Sequence, residues 1–391
     1  MTLDLLAPYT LDDFNKAHYE TKWAWLNETI SAAEAAEVFD FDELERYLFV
    51  ARPWDSNRHE FRVAKFPDKS FEPRVKSVED VIDLYSQGYT LILDGGHLRH
   101  AGIAKICSDL SKRFMCAVQA NIYVTPAGGQ GFDAHFDAHD VMVLQTVGAK
   151  KWHLKDMPLI MLGDKYYNEY EDIDAVEEAS DDSCAEVVLS AGERLYIPRG
   201  TIHKAVGVSD HPSIHITFSF FPITWNKLLE AAIIDGAVKS TGIMQSVPRE
   251  VLSNLDSPET KAMLQVKLNE ALGAVDMSQL WRFIYDRGAV LEPGKGVQSV
   301  LQLDQMNEHT QIRLREGADP FISMHGERMW VSFTGRRLGA PLHSYEFFNH
   351  LIEHNQFAVG DLPGDQTVTE SKLVFVKWLI THGIAYIVSD S

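Results

Sequence analysis

Two runs constrain this chain more than anything else in it. The first is His135-Phe136-Asp137; the second, far downstream, runs from Gly192 through Leu195-Tyr196-Ile197 and Pro198-Arg199-Gly200 to His203. Residues two apart on a β-strand face the same side, so His135 and Asp137 offer an imidazole and a carboxylate to one ion, and His203 reaches that ion from a second strand. Such a chain must fold its strands into a small barrel. Two histidines and one carboxylate form the facial triad of non-haem iron, which leaves coordination positions open.

A His-x-Asp/Glu pair is weak evidence alone. With 16 His and 56 Asp plus Glu in 391 residues, chance supplies about two such pairs. The chain has His18/Glu20, His135/Asp137 and His325/Glu327. His18 lies in a helix-like stretch, where a spacing of two splays the side chains apart, and His325-Gly326-Glu327 reads as a turn before the strand Met329–Phe333. Only His135/Asp137 leads into a strand pattern, Val141–Gln145, which a turn at Gly148 returns into Lys150–Leu154. Gly192 and Pro198-x-Gly200 punctuate the later run with two turns and so present His203 at the barrel mouth. His139 continues the alternation of His135 and Asp137 and is expected to line the pocket without ligating.

Composition bounds the partners. A formal charge of −20 disfavours a nucleic-acid backbone, which needs clustered Lys and Arg, and suits a basic protein or peptide. No membrane span is evident. The N-terminal residues lack the basic start and long apolar core of a secretory signal, and Cys107, Cys116 and Cys184 are too few and too irregular for a disulfide framework. Both features point to the cytoplasm.

Four segments follow from the patterning. Residues 1–95 are a mixed α/β segment flanking the barrel, with helices expected over Asp40–Leu48 and Val75–Tyr85 and a strand over 90–96. Residues 96–222 are the barrel, opening near Arg113. Within it, residues 164–186 form an acidic insertion rich in tyrosine, either a solvated loop or a collar that attracts a basic substrate. Residues 223–292 hold helical patterns at 225–234, 257–272 and 277–285. After Pro293-Gly294, residues 293–391 show amphipathic helices at 345–354 and 370–382 and a strand at 385–388, a winged-helix-like order.

The residues that carry the barrel signal resemble a family. Asn121–Pro126, Gly129–Gly131, the His135/Asp137 pair, Lys150-Lys151-Trp152, the run from Gly192 to His203 and His215–Ser219 are similar to the JmjC-type 2-oxoglutarate oxygenases, and within them the cupin-like ribosomal oxygenases. The resemblance implies a double-stranded β-helix of the jelly-roll or cupin kind, followed by a helical dimerisation domain and a winged-helix-like domain. It implies Fe(II) held by His135, Asp137 and His203, and 2-oxoglutarate as cosubstrate. Lys150 would pair with the distal carboxylate of 2-oxoglutarate, helped by Thr217, with Tyr123 and Asn121 near the same group; Trp152 and His215 would line the pocket. The implied activity is hydroxylation of an arginine or histidine side chain of a ribosomal protein by a homodimer. Two alternatives remain open at this stage: the same chemistry on a ribosomally made natural-product peptide or small molecule, and a non-catalytic cupin-like binding or regulatory protein.

Overall fold

The structure is a computed structural model that describes residues 3–27, 30–51, 61–67, 75–155, 184–208, 210–277, 280, 296–315, 318, 320–325, 328–333, 336–364 and 369–388. The acidic insertion up to Ser183, the expected helix at 277–285 beyond its first residues, and the Pro293-Gly294 boundary lie outside the described residues. Contacts divide the chain into two units, Met1–Pro222 and Ile223–Ser391.

The first unit is a double-stranded β-helix. Its strands are β1 (Ala24–Leu26), β2 (Phe61–Ala64), β3 (Thr90–Leu93), β4 (Ala117–Thr125), β5 (Asp140–Val147), β6 (Ala149–Leu154), β7 (Ala185–Ser190), β8 (Arg194–Ile197), β9 (His203–Gly207) and β10 (Ser213–Phe221). One sheet runs β1-β8-β5-β10-β4-β3-β2 and the other β7-β6-β9, with all pairings antiparallel. The spine is β4 against β10, in register from Ser213↔Thr125 to Phe221↔Ala117. Residues before 96 do more than flank the barrel, because β1, β2 and β3 extend the larger sheet at both ends. Unpaired strand edges carry unmet hydrogen bonds, and these short strands cover them.

Alternating burial along β6, with Lys150, Trp152 and Leu154 inward, follows from the two-residue pleat. Val141, Val143, Trp152, Leu154, Val187, Leu189, Leu195 and Ile197 fill the space between the sheets. Truncating one of them, such as Leu154→Ala, is expected to cost about 2–5 kcal/mol. The β5–β6 turn needs Gly148 at φ +67, where an added Cβ would also run into the Pro212 carbonyl. Helix Ala101–Phe114 packs on this unit. It runs through Arg113 and Phe114, so the barrel strand begins at Ala117 instead of near Arg113.

In the second unit, helices Trp225–Ala237 and Pro258–Gly273 cross where Gly236 meets the Ala271 backbone so closely that no Cβ would fit. A separate core joins helices Tyr345–Glu353 and Thr369–Thr381 to strands between Gln311 and Ile387, with Phe348, Leu351, Val376 and Leu379 at its centre. Two three-stranded sheets accompany the helices. Among the described residues no helix is long and apolar enough to cross a membrane.

Candidate metal and cosubstrate site

His135 and His203 meet as an isolated antiparallel bridge, His135 N–H donating to the His203 carbonyl at 3.1 Å and His203 N–H to the His135 carbonyl at 2.8 Å. His135 and Asp137 are therefore not on a regular strand, contrary to the expectation from spacing, and one bridge does the aligning. Gly200 N–H donates to the Asp137 carbonyl at 2.9 Å and ties the third ligand segment to the turn that precedes His203. Ligand atoms of His135, Asp137 and His203 lie within 4.8 Å of one another. His203 Nε2 is 3.7 Å from Asp137 Oδ2.

Both imidazoles are fixed from behind. Their Nδ1 atoms lie 2.8 Å from the Asp133 carbonyl and 2.9 Å from the Thr201 carbonyl. A carbonyl accepts only, so each Nδ1 carries the proton and each Nε2 lone pair is left free for a metal ion. Burial and the neighbouring His135 push His203 down to about 4, which keeps it neutral and able to ligate. Burial raises the Asp137 carboxyl, but His203, His135 and His139 outweigh it, and the net is below the usual range. A neutral–anionic–neutral donor set with its outer atoms anchored suits a divalent iron.

Lys150, on the central strand of the smaller sheet, lines the same cavity and is only 3% exposed. Among the described residues no carboxylate pairs with it, and burial alone pushes its ammonium down to about 7. Thr217 faces it from β10 of the larger sheet, and Tyr123, Trp152 and His215 complete the wall. Tyr123 and His215 stack with rings 4.8 Å apart and 2° from parallel. Among the described residues Trp152 Nε1 and His215 Nδ1 are buried without a hydrogen-bond partner. A cavity with donors on one side, a metal-ligand cluster on the other and no internal acid to neutralise the lysine fits a bound dianionic keto acid.

Two expected residues stand elsewhere. His139 does not line the cavity; its ring lies flat on Phe221, 5.0 Å between centroids, because residues 136–139 form no strand and alternation does not carry through them. Asn121 also lies outside the lining; its side-chain oxygen accepts from Gly95 N–H at 3.0 Å, and its side chain hydrogen-bonds the Tyr123 phenol, so it braces a turn and one wall residue. Conversely, Thr90 and Phe132 line the cavity without having been singled out by any motif, Phe132 resting edge-on to His135 at 5.7 Å.

Comparison with known proteins agrees with this geometry. Residues 98–228 match the JmjC domain family. The barrel segment of this chain thus carries a JmjC domain. The bifunctional lysine-specific demethylase and histidyl-hydroxylase NO66 of Dictyostelium discoideum is 39% identical over 149 residues, covering 37% of this chain and 28% of that protein. Its namesake from Drosophila grimshawi is 30% identical over 248 residues, 60% of this chain and 33% of the relative. The chain thus spans about a third of the length of these curated relatives. Among solved structures, the ribosomal oxygenase YcfD of Escherichia coli in complex with cobalt and 2-oxoglutarate aligns with a TM-score of 0.59 at 15% identity, over 98% of this chain and 99% of that one. That likeness speaks for the fold. The donor set and the lysine seat fit Fe(II) and 2-oxoglutarate.

Proposed function

We propose that this chain hydroxylates an amino-acid side chain, arginine or histidine, of a basic ribosomal protein, using Fe(II) and 2-oxoglutarate. One observation carries the reading: a His-Asp-His cluster and a buried, uncompensated lysine share one cavity. The relatives' names supply the substrate class, and the charge of −20 favours a basic partner.

When bound, Fe(II) with 2-oxoglutarate and dioxygen supplies the oxidising power, giving succinate, carbon dioxide and one oxygen atom inserted into a substrate C–H bond. The protein's part is placement. His135, Asp137 and His203 would hold the ion through two imidazoles and one carboxylate. Lys150 would pair with the distal carboxylate of 2-oxoglutarate, with the Thr217 hydroxyl and the Tyr123 phenol on the same cavity wall. Burial holds that phenol well above its ordinary value, so it stays a donor. Trp152, buried and tilted 32° to the His203 ring at 6.0 Å, walls the side of the site next to that ligand.

The same proposal includes a homodimer in the cytoplasm. Trp225, Leu229, Ile234, Met263 and Leu264 are exposed on two packed helices, an apolar face that a second copy of the chain could cover. None of the three cysteines forms a disulfide among the described residues. The test of function is anaerobic loading with Fe(II) and 2-oxoglutarate, then exposure to air with purified ribosomal proteins and mass spectrometry. A gain of one oxygen on an arginine or histidine is expected. Succinate release with no modified ribosomal protein would move the substrate to another peptide, and no succinate from metal-loaded protein would reject the enzymatic reading.

A further inference from the structure

Asp140 lies three residues beyond Asp137, is fully buried, and ligates nothing in the cluster. Its carboxylate collects donors from one short stretch of chain. Tyr196 Oη–H donates at 2.9 Å, Arg199 Nη1 at 2.6 Å, and the Arg199 main-chain N–H at 3.3 Å. Arg199 Nη1 is also 2.7 Å from the Glu20 carboxylate, and Glu20 N–H donates to Tyr196 Oη at 2.9 Å. Asp140, Arg199, Glu20 and Tyr196 therefore close a ring of contacts. Glu20 takes part from φ +58, a left-handed conformation that a non-glycine residue adopts only when its surroundings impose it.

The ring touches both metal-bearing segments. Asp140 opens β5 directly after the His135–Asp137 run, and Arg199 stands in the turn whose next residue, Gly200, bonds the Asp137 carbonyl before the chain reaches His203. A carboxylate gripped by both the guanidinium and the main chain of one residue fixes that residue in orientation as well as distance. Buried ion pairs seldom add net stability over apolar residues of equal volume. Their use here is geometric. We propose that Asp140, Arg199 and Glu20 are positioning residues for the metal centre, setting the spacing between Asp137 and His203, and that through Glu20 the N-terminal segment is a working part of that centre. None of the three touches reacting atoms, and the inference rests on the reading of the cluster as a metal site.

The test is anaerobic titration of the full chain with Co(II), recording affinity and the cobalt d–d absorption, beside thermal unfolding of the metal-free protein. Arg199→Lys keeps the charge but loses the fork. The double variant Asp140→Leu with Arg199→Met replaces the pair by apolar groups and preserves the fold if the pair is not needed for stability; Glu20→Gln probes the third arm from a partly exposed position. Cobalt affinity is expected to fall about 10–100-fold in the first two, the range typical for outer partners of metal ligands, with a shifted d–d band and little change in melting for the double variant. Glu20→Gln should weaken binding a few-fold. Unchanged affinity and spectrum in the folded double variant and in Glu20→Gln would overturn the positioning role while leaving the metal site intact. Failure of the unaltered chain to bind Co(II) would instead overturn the reading beneath it.

Discussion

At the metal end of the cavity both imidazoles are held from behind, His135 by the Asp133 carbonyl and His203 by the Thr201 carbonyl, and Gly200 N–H ties the Asp137 main chain, whereas at the other end Lys150, Trp152 Nε1 and His215 Nδ1 are buried with no such partner among the described residues. The first arrangement gives preorganised ligands that need only an ion. The second leaves buried donors that await an anion, at a standing cost to the folded state. One cavity thus combines a rigid metal seat with a cosubstrate seat completed on binding.

Breaking the metal end should have the larger effect. Asp137→Ala or His135→Ala is expected to reduce succinate formation to that of an enzyme-free control and to abolish metal uptake, read by metal analysis after desalting. Lys150→Ala should act on the other end alone. Losing a charge-assisted pair worth about 1.5–3 kcal/mol raises KM for 2-oxoglutarate roughly 10–100-fold, with kcat much less affected. An equal loss in kcat would mean that Lys150 serves the chemical step and not the binding of the diacid.

The lysine end also predicts a pH signature. Lys150 falls from 10.5 to about 7 on folding, so between those values the unfolded chain holds a proton that the folded chain has lost. The burial penalty is in full force below about pH 7 and is relieved as pH rises toward 10.5, so stability gains with pH across that window. In Lys150→Met the corresponding slope of melting temperature against pH should vanish. The same linkage makes 2-oxoglutarate binding take up a proton above about pH 7, detectable by calorimetry in buffers of different ionisation enthalpy.

The smallest effects separate wall from brace. Tyr123→Phe removes one hydroxyl near the cosubstrate and is expected to raise KM for 2-oxoglutarate by up to about tenfold, for a hydrogen bond worth about 1 kcal/mol. Asn121→Ala should lower the melting temperature, since its side-chain oxygen accepts from Gly95 N–H, and should move that KM less than Tyr123→Phe does, acting only through the phenol it also hydrogen-bonds.

What could be read in advance follows from how local each signal is. The triad was legible because the two-residue spacing, Gly148, Gly192 and Pro198 all act within a few residues. The role of Lys150 became legible only through family resemblance, since the alternation with Trp152 and Leu154 places it inward and the half-exposed Lys151 outward but says nothing of what it meets there. His139 was misplaced by assuming a pleat that a single bridge does not provide. Helix Ala101–Phe114 went unread because its cap is His100, whose Nδ1 accepts from Ile103 N–H in place of the usual Ser, Thr, Asp or Asn. The Asp140–Arg199 pair joins residues 59 apart, a distance at which no pattern in the sequence reports contact.

The most direct measurement is the visible charge-transfer absorption that forms when Fe(II) and a chelating 2-oxo acid meet on a protein without oxygen. The native chain should develop it, Asp137→Ala should not, and Lys150→Ala should reach it only at 2-oxoglutarate concentrations raised about 10–100-fold. A band that forms in Asp137→Ala as in the native chain, or one whose 2-oxoglutarate dependence is indifferent to Lys150, would contradict a single cavity with a metal at one end and a diacid seat at the other.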